Sequence, residues 1–277
     1  DTHQIDIDRI DALIDKDVSA IMGVNLWGGS CNPKALSELA ASNGVQLYFD
    51  SAHAFGCTVD GVPIGNFGRA EVFSFHATKI LSATEGGCIC TNDDDLAARL
   101  RSIRPSYGAD KPVSIVRVAN ARMSEAQAAI ALMSLEDFSA NQKNNEALYR
   151  LYETQLKAIP GLHLVKPTGV SFSNYQYLVC RMDEREFGLS RDFLIDILKA
   201  ENVAARRYFY PGIHRSIPYS QKLPQYLNRL PNTDSLCATC IQFPLGALVS
   251  AQCVERICDI LMRAHQASAE ISSRHEK

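Results

Sequence analysis

The sequence predicts an α/β protein: a large domain on a mostly parallel sheet, then a smaller C-terminal α/β domain. Two observations lead there. Residues 18–50 read as strand, helix and strand (VSAIMGVNLWG, ALSELAAS, VQLYFD), the β-α-β order of a parallel sheet, whose crossover should be right-handed. After Ile159-Pro160-Gly161 the pattern changes to short alternating strands around a helix, which places a domain boundary inside the helical stretch 124–159. The expected domains are residues 1–140 and 141–277.

Residues 5–14 (IDIDRIDALI) carry Ile10, Leu13 and Ile14 at helical spacing with acids early, which predicts an amphipathic helix. Asn32-Pro33 forms an N-cap and first-turn pair for the next helix, and Asn43-Gly44 ends it. The strand of residues 45–49 is apolar except for Gln46, as expected of a strand buried on both faces of a sheet. Gly61, Gly65 and Gly68 punctuate a loop before a second strand, EVFSF. Then come the strand CICT, a helix over 93–104, a loop over 105–119 and a long helix led in by NARMSEAQAAIAL. In the second domain, LHLVKP and YQYLVCRM read as antiparallel strands, and Ser190 caps an amphipathic helix. VAARRYFY returns as a strand, DSLCATC follows a helical pattern, Ser250 caps a final amphipathic helix, and 271–277 read as a frayed tail.

Composition excludes several classes. With 277 residues, 46% hydrophobic and 21% charged, the chain is an ordinary globular one. The net charge is −3, from 28 basic and 31 acidic residues, so no polycationic face argues for nucleic acid. No apolar run is long enough to span a bilayer and no leader precedes the first helix, which makes a cytoplasmic protein the expectation. Nine cysteines, an odd number, suit reduced thiols better than a disulfide framework. Cys237 and Cys240 form a C-x-x-C without knuckle turn residues, so they read as buried small hydrophobes rather than metal ligands.

The chemistry gathers between Asp50, which closes VQLYFD, and Lys79, which closes FSFHATK. A carboxylate alone at a strand end reads as a cap, and a lone lysine as a solvated charge. Together, at the carboxyl edge of one sheet where ligands of open α/β folds collect, they read differently. Phe73, Phe75, Ile80 and Leu81 give Lys79 an apolar setting that favours its neutral, nucleophilic amine. A neutral lysine suits a cofactor aldehyde, and a carboxylate suits the pyridine nitrogen of pyridoxal 5'-phosphate. Ser74 and Thr78 are candidate phosphate donors, His53 falls near the ring, and His76 either lines a substrate pocket or packs.

DSAHAFG, GNFGRAEVFSFHATK, EGGCICTND and NARMSEAQAAIAL, in this order, with RRYFYPGIH and the LPN/FPL pattern further on, resemble the DegT/DnrJ/StrS family of aminotransferases. These are fold-type I pyridoxal-phosphate enzymes that aminate keto groups of nucleotide-linked sugars. The resemblance implies Lys79 as the Schiff-base lysine, Asp50 at the pyridine nitrogen, His53 beside the ring and Ser74 at the phosphate. It implies a homodimer in which Asn120 reaches the partner's cofactor phosphate and Arg122 lies near the same seam. By the residues alone, Asn120 is a cap and Arg122 a solvated charge.

His214 matches a histidine that approaches the nucleotide-sugar in the family, although Pro211-Gly212-Ile213-His214 departs from the family's Pro-Pro-Leu-His at two positions; by itself His214 reads as a surface histidine in a turn. The family also has a longer N-terminal segment bearing a phosphate-cupping loop and an aromatic ring, so the large domain is expected to be incomplete here and the chain to be a fragment. The implied reaction is amino transfer from glutamate or glutamine to a nucleotide-linked deoxysugar. A keto-cyclitol acceptor, a dehydratase on the same cofactor and a non-catalytic homologue remain alternatives; some dehydratases of the superfamily carry histidine where this chain has Lys79.

Overall fold

The computed structural model describes residues 2–104 and 113–275. Backbone contacts divide it into two units, Asp1–Gln142 with Pro167–Gln176, and Lys143–Lys166 with Tyr177–Lys277. The sequence boundary after residue 140 leaves 167–176 in the second domain; contacts return this segment to the first. Its anchors are backbone bonds of Ser30 to Thr168 and Thr58 to Phe172, and the side chains of Ser173 and Asn174 described below.

The first unit opens with α1 (Ile7–Ile10), shorter than the predicted helix because a 3₁₀ turn over Asp11–Leu13 follows at once. β1 (Ala20–Val24), α2 (Pro33–Asn43) and β2 (Gln46–Asp50) form the expected β-α-β unit, with the two strands parallel in register from Ala20 opposite Gln46 to Val24 opposite Asp50. The Asn32 side chain accepts the N–H of Ala35, and Gly44 closes α2 at φ 66°, where a side chain would be strained. A short hairpin, β3 (Thr58–Val59) and β4 (Val62–Pro63), turns through Asp60-Gly61, both at positive φ. This is the hairpin chemistry of an Asp-Gly pair inside what the sequence read as a loop.

β5 (Ala70–Ser74) adds parallel to β2, and β6 (Gly87–Cys90) adds antiparallel to β5, giving the order β1-β2-β5-β6. Gly87 is obligatory, since a Cβ there would stand 2.4 Å from the Phe73 carbonyl oxygen. One face of the sheet packs Ile21, Leu47 and Phe49 against Leu36 and Ala40 of α2, while Phe73, Phe75, Ala54 and Leu81 form a neighbouring cluster. The expectation of strands buried on both faces fails: burial alternates along β2, and Met22, Val72 and Ile89 are exposed on the opposite face. Asp50 lies opposite Val72 on that face, and Ser74 lies two residues further along it.

α3 (Asp94–Ile103) is capped by Asp93. The predicted loop lies partly outside the described residues, including Tyr107-Gly108. The long helix proves to be two, α4 (Glu125–Glu136) and α5 (Phe138–Leu156), broken at Asp137. α4 starts at a capping box of Ser124 and Gln127, so Asn120 is not its cap. The division between units falls inside α5.

In the second unit β7 (Leu162–Val165), β8 (Leu178–Met182) and, after helices α6 (Glu184–Phe187), α7 (Arg191–Ala200), α8 (Tyr219–Lys222) and α9 (Pro231–Thr239), β9 (Cys240–Phe243) form an antiparallel sheet in that order. β9 takes the place predicted for VAARRYFY, which contributes a single bridge, Arg206 to Gln242, before Tyr210 N–H turns back to the Arg207 carbonyl. α10 (Ala251–Gln266) buries Val254, Ile257, Cys258 and Leu261, and α11 (Ser268–His275) runs through most of the segment expected to fray. Among the described residues every cysteine is a free thiol, and no helix is long and apolar enough to cross a membrane.

Candidate active site

A buried polar chain ties the carboxyl ends of β1 and β2 to Glu71, near the start of β5. Glu71 is fully buried; it accepts the N–H groups of Gly65 (2.7 Å) and Phe67 (2.8 Å) and the hydroxyl of Ser51 (2.5 Å). Ser51 Oγ in turn accepts from Asn25 Nδ2 (2.9 Å), and Asn25 Oδ1 accepts the N–H of Cys31 (2.9 Å). Asn25 N–H also donates to the carbonyl of Asp50 (2.9 Å), the residue before Ser51. Three strands thereby fix the backbone that carries Asp50, and the Asp50 carboxylate is oriented by the Ala52 N–H on Oδ1 (3.0 Å). The sequence reading passed over Asn25, Ser51 and Glu71. Their signal was polar residues at or beside strand ends, Glu71 alone opening an apolar strand.

His53 is buried three residues after Asp50, its ring 5.3 Å from that of Trp27. Burial pushes its pKa down from 6.5 to about 3, with the Lys79 charge adding to the effect, so its imidazole is neutral across the physiological range. Trp27 is buried and holds φ 57°, with its indole N–H donating to His3 Nδ1 (3.1 Å). It too escaped the sequence reading, although it is the chain's one tryptophan.

Lys79 follows β5 in a tight turn, its N–H donating to the His76 carbonyl (2.9 Å). Burial lowers its pKa below the ordinary lysine value, and the Asp50 charge opposes the shift only in part. Of the residues from which an apolar setting for Lys79 was inferred, Phe73, Phe75 and Leu81 are buried and Ile80 is half-buried. Ser74 is half-buried and its Oγ accepts the His76 N–H (3.3 Å), which leaves its proton available for donation.

The other candidates are placed differently. His76 is exposed; its Nδ1 contacts Thr78 Oγ1 (2.9 Å) and its Nε2 lies 3.6 Å from Glu85. Asn120 and Arg122 are exposed in the segment before α4. His214 belongs to the second unit and is buried rather than on the surface, its Nε2 2.9 Å from Asp234 Oδ1. Asp234 also accepts two bonds from Arg215, which hold its carboxyl well down, at about 2.

The model of the DegT/DnrJ/EryC1/StrS aminotransferase family matches residues 1–262. The chain belongs to that family. It is a pyridoxal-phosphate-dependent aminotransferase, and relatives of known structure repeat its fold. A dTDP-4-amino-4,6-dideoxy-D-glucose transaminase of Shigella dysenteriae is 33% identical over 254 residues, 90% of this chain and 67% of that protein. A crystal structure of DesI in the presence of its TDP-sugar product is 38% identical, with a TM-score of 0.91, covering all of this chain and 70% of that one. DesV of S. venezuelae is 26% identical with a TM-score of 0.84, covering 95% of this chain and 69% of that one. The chain thus spans about two thirds of the length of these relatives. A GDP-4-keto-6-deoxy-D-mannose-3-dehydratase of E. coli, at 20% identity and a TM-score of 0.77, shares the fold.

The residues present suit pyridoxal phosphate. An amine depressed by burial meets the need for a nucleophile towards the aldehyde. An oriented carboxylate on the same sheet edge meets the need for an anion at the ring nitrogen, and a neutral buried imidazole beside it adds no competing charge.

Proposed function

We propose that the chain transfers an amino group from glutamate or glutamine to the keto group of a nucleotide-linked deoxysugar. The observation that carries this reading is the pairing of Lys79 and Asp50: a burial-depressed amine that feels the charge of a carboxylate at the end of β2, in the same mostly parallel sheet. Sugar transaminase relatives at 33% and 38% identity support the substrate class.

In this reading Asp50, His53, Ser74 and Lys79 hold the cofactor from one chain, and Asn120 holds it from a partner chain. When bound, pyridoxal phosphate supplies an aldehyde and an electron-withdrawing ring. Lys79, once its amine is free, takes the proton from the amino donor's α-carbon and later returns one to the carbon that becomes the aminated sugar centre. Burial keeps a larger share of that amine unprotonated near neutral pH than water would. Asp50 holds the pyridine nitrogen in its protonated form, and Ser51, Asn25 and Glu71 keep the Asp50 backbone in place. His53, neutral and buried, fixes the ring without taking a proton from it. His76, Arg122 and His214 belong to the substrate side of the proposal.

The reading includes a cytoplasmic homodimer. Exposed Ile130, Leu132, Met133 and Leu135 on α4, close in sequence to Asn120 and Arg122, support an interface there. The nine free thiols support a reducing compartment.

The test is a product assay with glutamate and a dTDP-linked 4-keto-6-deoxyhexose. Amino sugar and 2-oxoglutarate formed in equal amounts support the proposal. Loss of water from the sugar with no net consumption of amino groups would favour the dehydratase reading, and no turnover by a cofactor-loaded protein would favour a non-catalytic one.

A further inference from the structure

Trp27 is a bulky residue in a backbone conformation that bulky residues avoid. It stands at φ 57°, three residues past the end of β1, and Gly28 follows at φ 79°. A side chain at such a φ is an outlier that persists only where the surrounding structure holds it. Several contacts hold this one. The indole N–H donates to His3 Nδ1 (3.1 Å), and the Leu26 carbonyl accepts the Gly29 N–H (2.8 Å). The Gly28 carbonyl accepts the Ser173 hydroxyl (2.9 Å). Gly28 has no room for a Cβ, which would stand 2.7 Å from Ser173 Oγ and 2.8 Å from Asn174 Oδ1.

What the turn achieves is a ring contact. The indole lies against the His53 imidazole, with centroids 5.3 Å apart and planes 32° apart, and the two residues are 4% and 8% exposed. Flat rings at this separation favour particular mutual tilts, so a fixed indole restricts the plane of the imidazole. His53 is held from the same side as Gly28: Asn174, fully buried and next to Ser173, donates from Nδ2 to the His53 carbonyl (3.0 Å). Two adjacent residues, more than a hundred positions later in the chain, thereby tie the turn after Trp27 and the backbone of His53 to one another. A strained backbone that ends in a ring contact with a candidate site residue is the pattern expected where strain serves a function.

We propose that Trp27 is a positioning residue for the cofactor: its indole fixes the plane of the His53 ring, and so the fit of pyridoxal phosphate beside it. The proposal rests on the aminotransferase reading above, in which His53 lies beside the cofactor ring, and adds the residue that sets His53.

The experiment is a double-mutant cycle on cofactor binding. Protein freed of cofactor is titrated with pyridoxal phosphate, the Kd is read from the absorbance of the bound cofactor, and circular dichroism reports the fold. The cycle comprises the unsubstituted protein, Trp27→Leu, His53→Ala and the double variant; Trp27→Met replaces Trp27→Leu if the leucine variant does not fold. Expected is a Kd raised at least tenfold in each single variant. The double variant should stay within threefold of His53→Ala, since an indole that acts through the imidazole then has nothing to act on. Trp27→Phe, which keeps a ring, should recover most of the loss. If Trp27→Leu stays within threefold of the unsubstituted protein, or the double variant shows the product of the two single losses, Trp27 is a packing residue and the proposal is overturned. A loss in Trp27→Phe equal to that in Trp27→Leu overturns it as well, because the aromatic face is then not what matters. If His53→Ala leaves the Kd within threefold, the placement of His53 at the cofactor fails and the proposal with it, while the roles of Lys79 and Asp50 stand. An unsubstituted protein that binds no pyridoxal phosphate would sink the cofactor reading and the proposal together.

Discussion

Removing the link between Ser51 and Glu71 should destabilise the first unit and loosen cofactor binding together. In Glu71→Ala, one buried and two part-buried donors lose their acceptor at once: the Ser51 hydroxyl, and the Gly65 and Phe67 N–H groups. At about 1 to 3 kcal/mol for each orphaned group, with partial relaxation, the expected loss is about 3 to 6 kcal/mol. Ser51→Ala orphans Asn25 Nδ2 and strips one bond from Glu71, a loss of about 1 to 3 kcal/mol. The two side chains touch, so the double variant should lose less than the sum by about 1 to 3 kcal/mol. Urea denaturation followed by the fluorescence of Trp27, the chain's one tryptophan and buried in this unit, measures all three. Because Asn25 N–H and Ser51 flank the Asp50 carbonyl, each variant that still folds should also bind pyridoxal phosphate more weakly. A coupling below about 0.5 kcal/mol at unchanged urea dependence would refute the network, since independent sites add within that margin.

The low pKa of His53, about 3 when folded against 6.5 when free, has a signed consequence. Below pH 6.5 the unfolded chain binds a proton that the folded one refuses, so stability should fall by about 1.4 kcal/mol per pH unit towards pH 3, and His53→Gln should remove that slope; equal slopes in both proteins would contradict the assignment. For Asp234 the shift has the opposite sense. Its carboxyl is held at about 2 by Arg215 and His214, so the stabilisation is present above the ordinary carboxylate range and is lost as pH falls through 2. Asp234→Asn should flatten the acid limb of the second unit's unfolding curve between pH 4 and 2, and an unaltered limb would show the cluster to be inert.

The parts of the fold that could be read from the sequence are those fixed by local chemistry. Asn32, Ser190 and Ser250 cap helices where their side chains suggest, and the β-α-β unit follows from the alternation of apolar runs with one helix. What escaped depends on partners distant in the chain. The break at Asp137 is not marked by glycine or proline, and VAARRYFY has good strand composition but loses its edge to CIQF, which lies more than thirty residues later. Asp50 stood out because it closes an apolar strand with a charge, and Lys79 because it follows another such strand within five residues. Gln176, Asn174 and Glu71 did not, because a polar residue's burial and its partners are tertiary facts; Gln176 meets Ile80 across 96 positions of chain.

The most direct test is to load the protein with pyridoxal phosphate, reduce it with borohydride and sequence the labelled peptide by mass spectrometry. The account predicts a yellow absorbance that reduction abolishes, with the label on Lys79 and none in Lys79→Arg. Label on a different lysine, or undiminished label in Lys79→Arg, would contradict it.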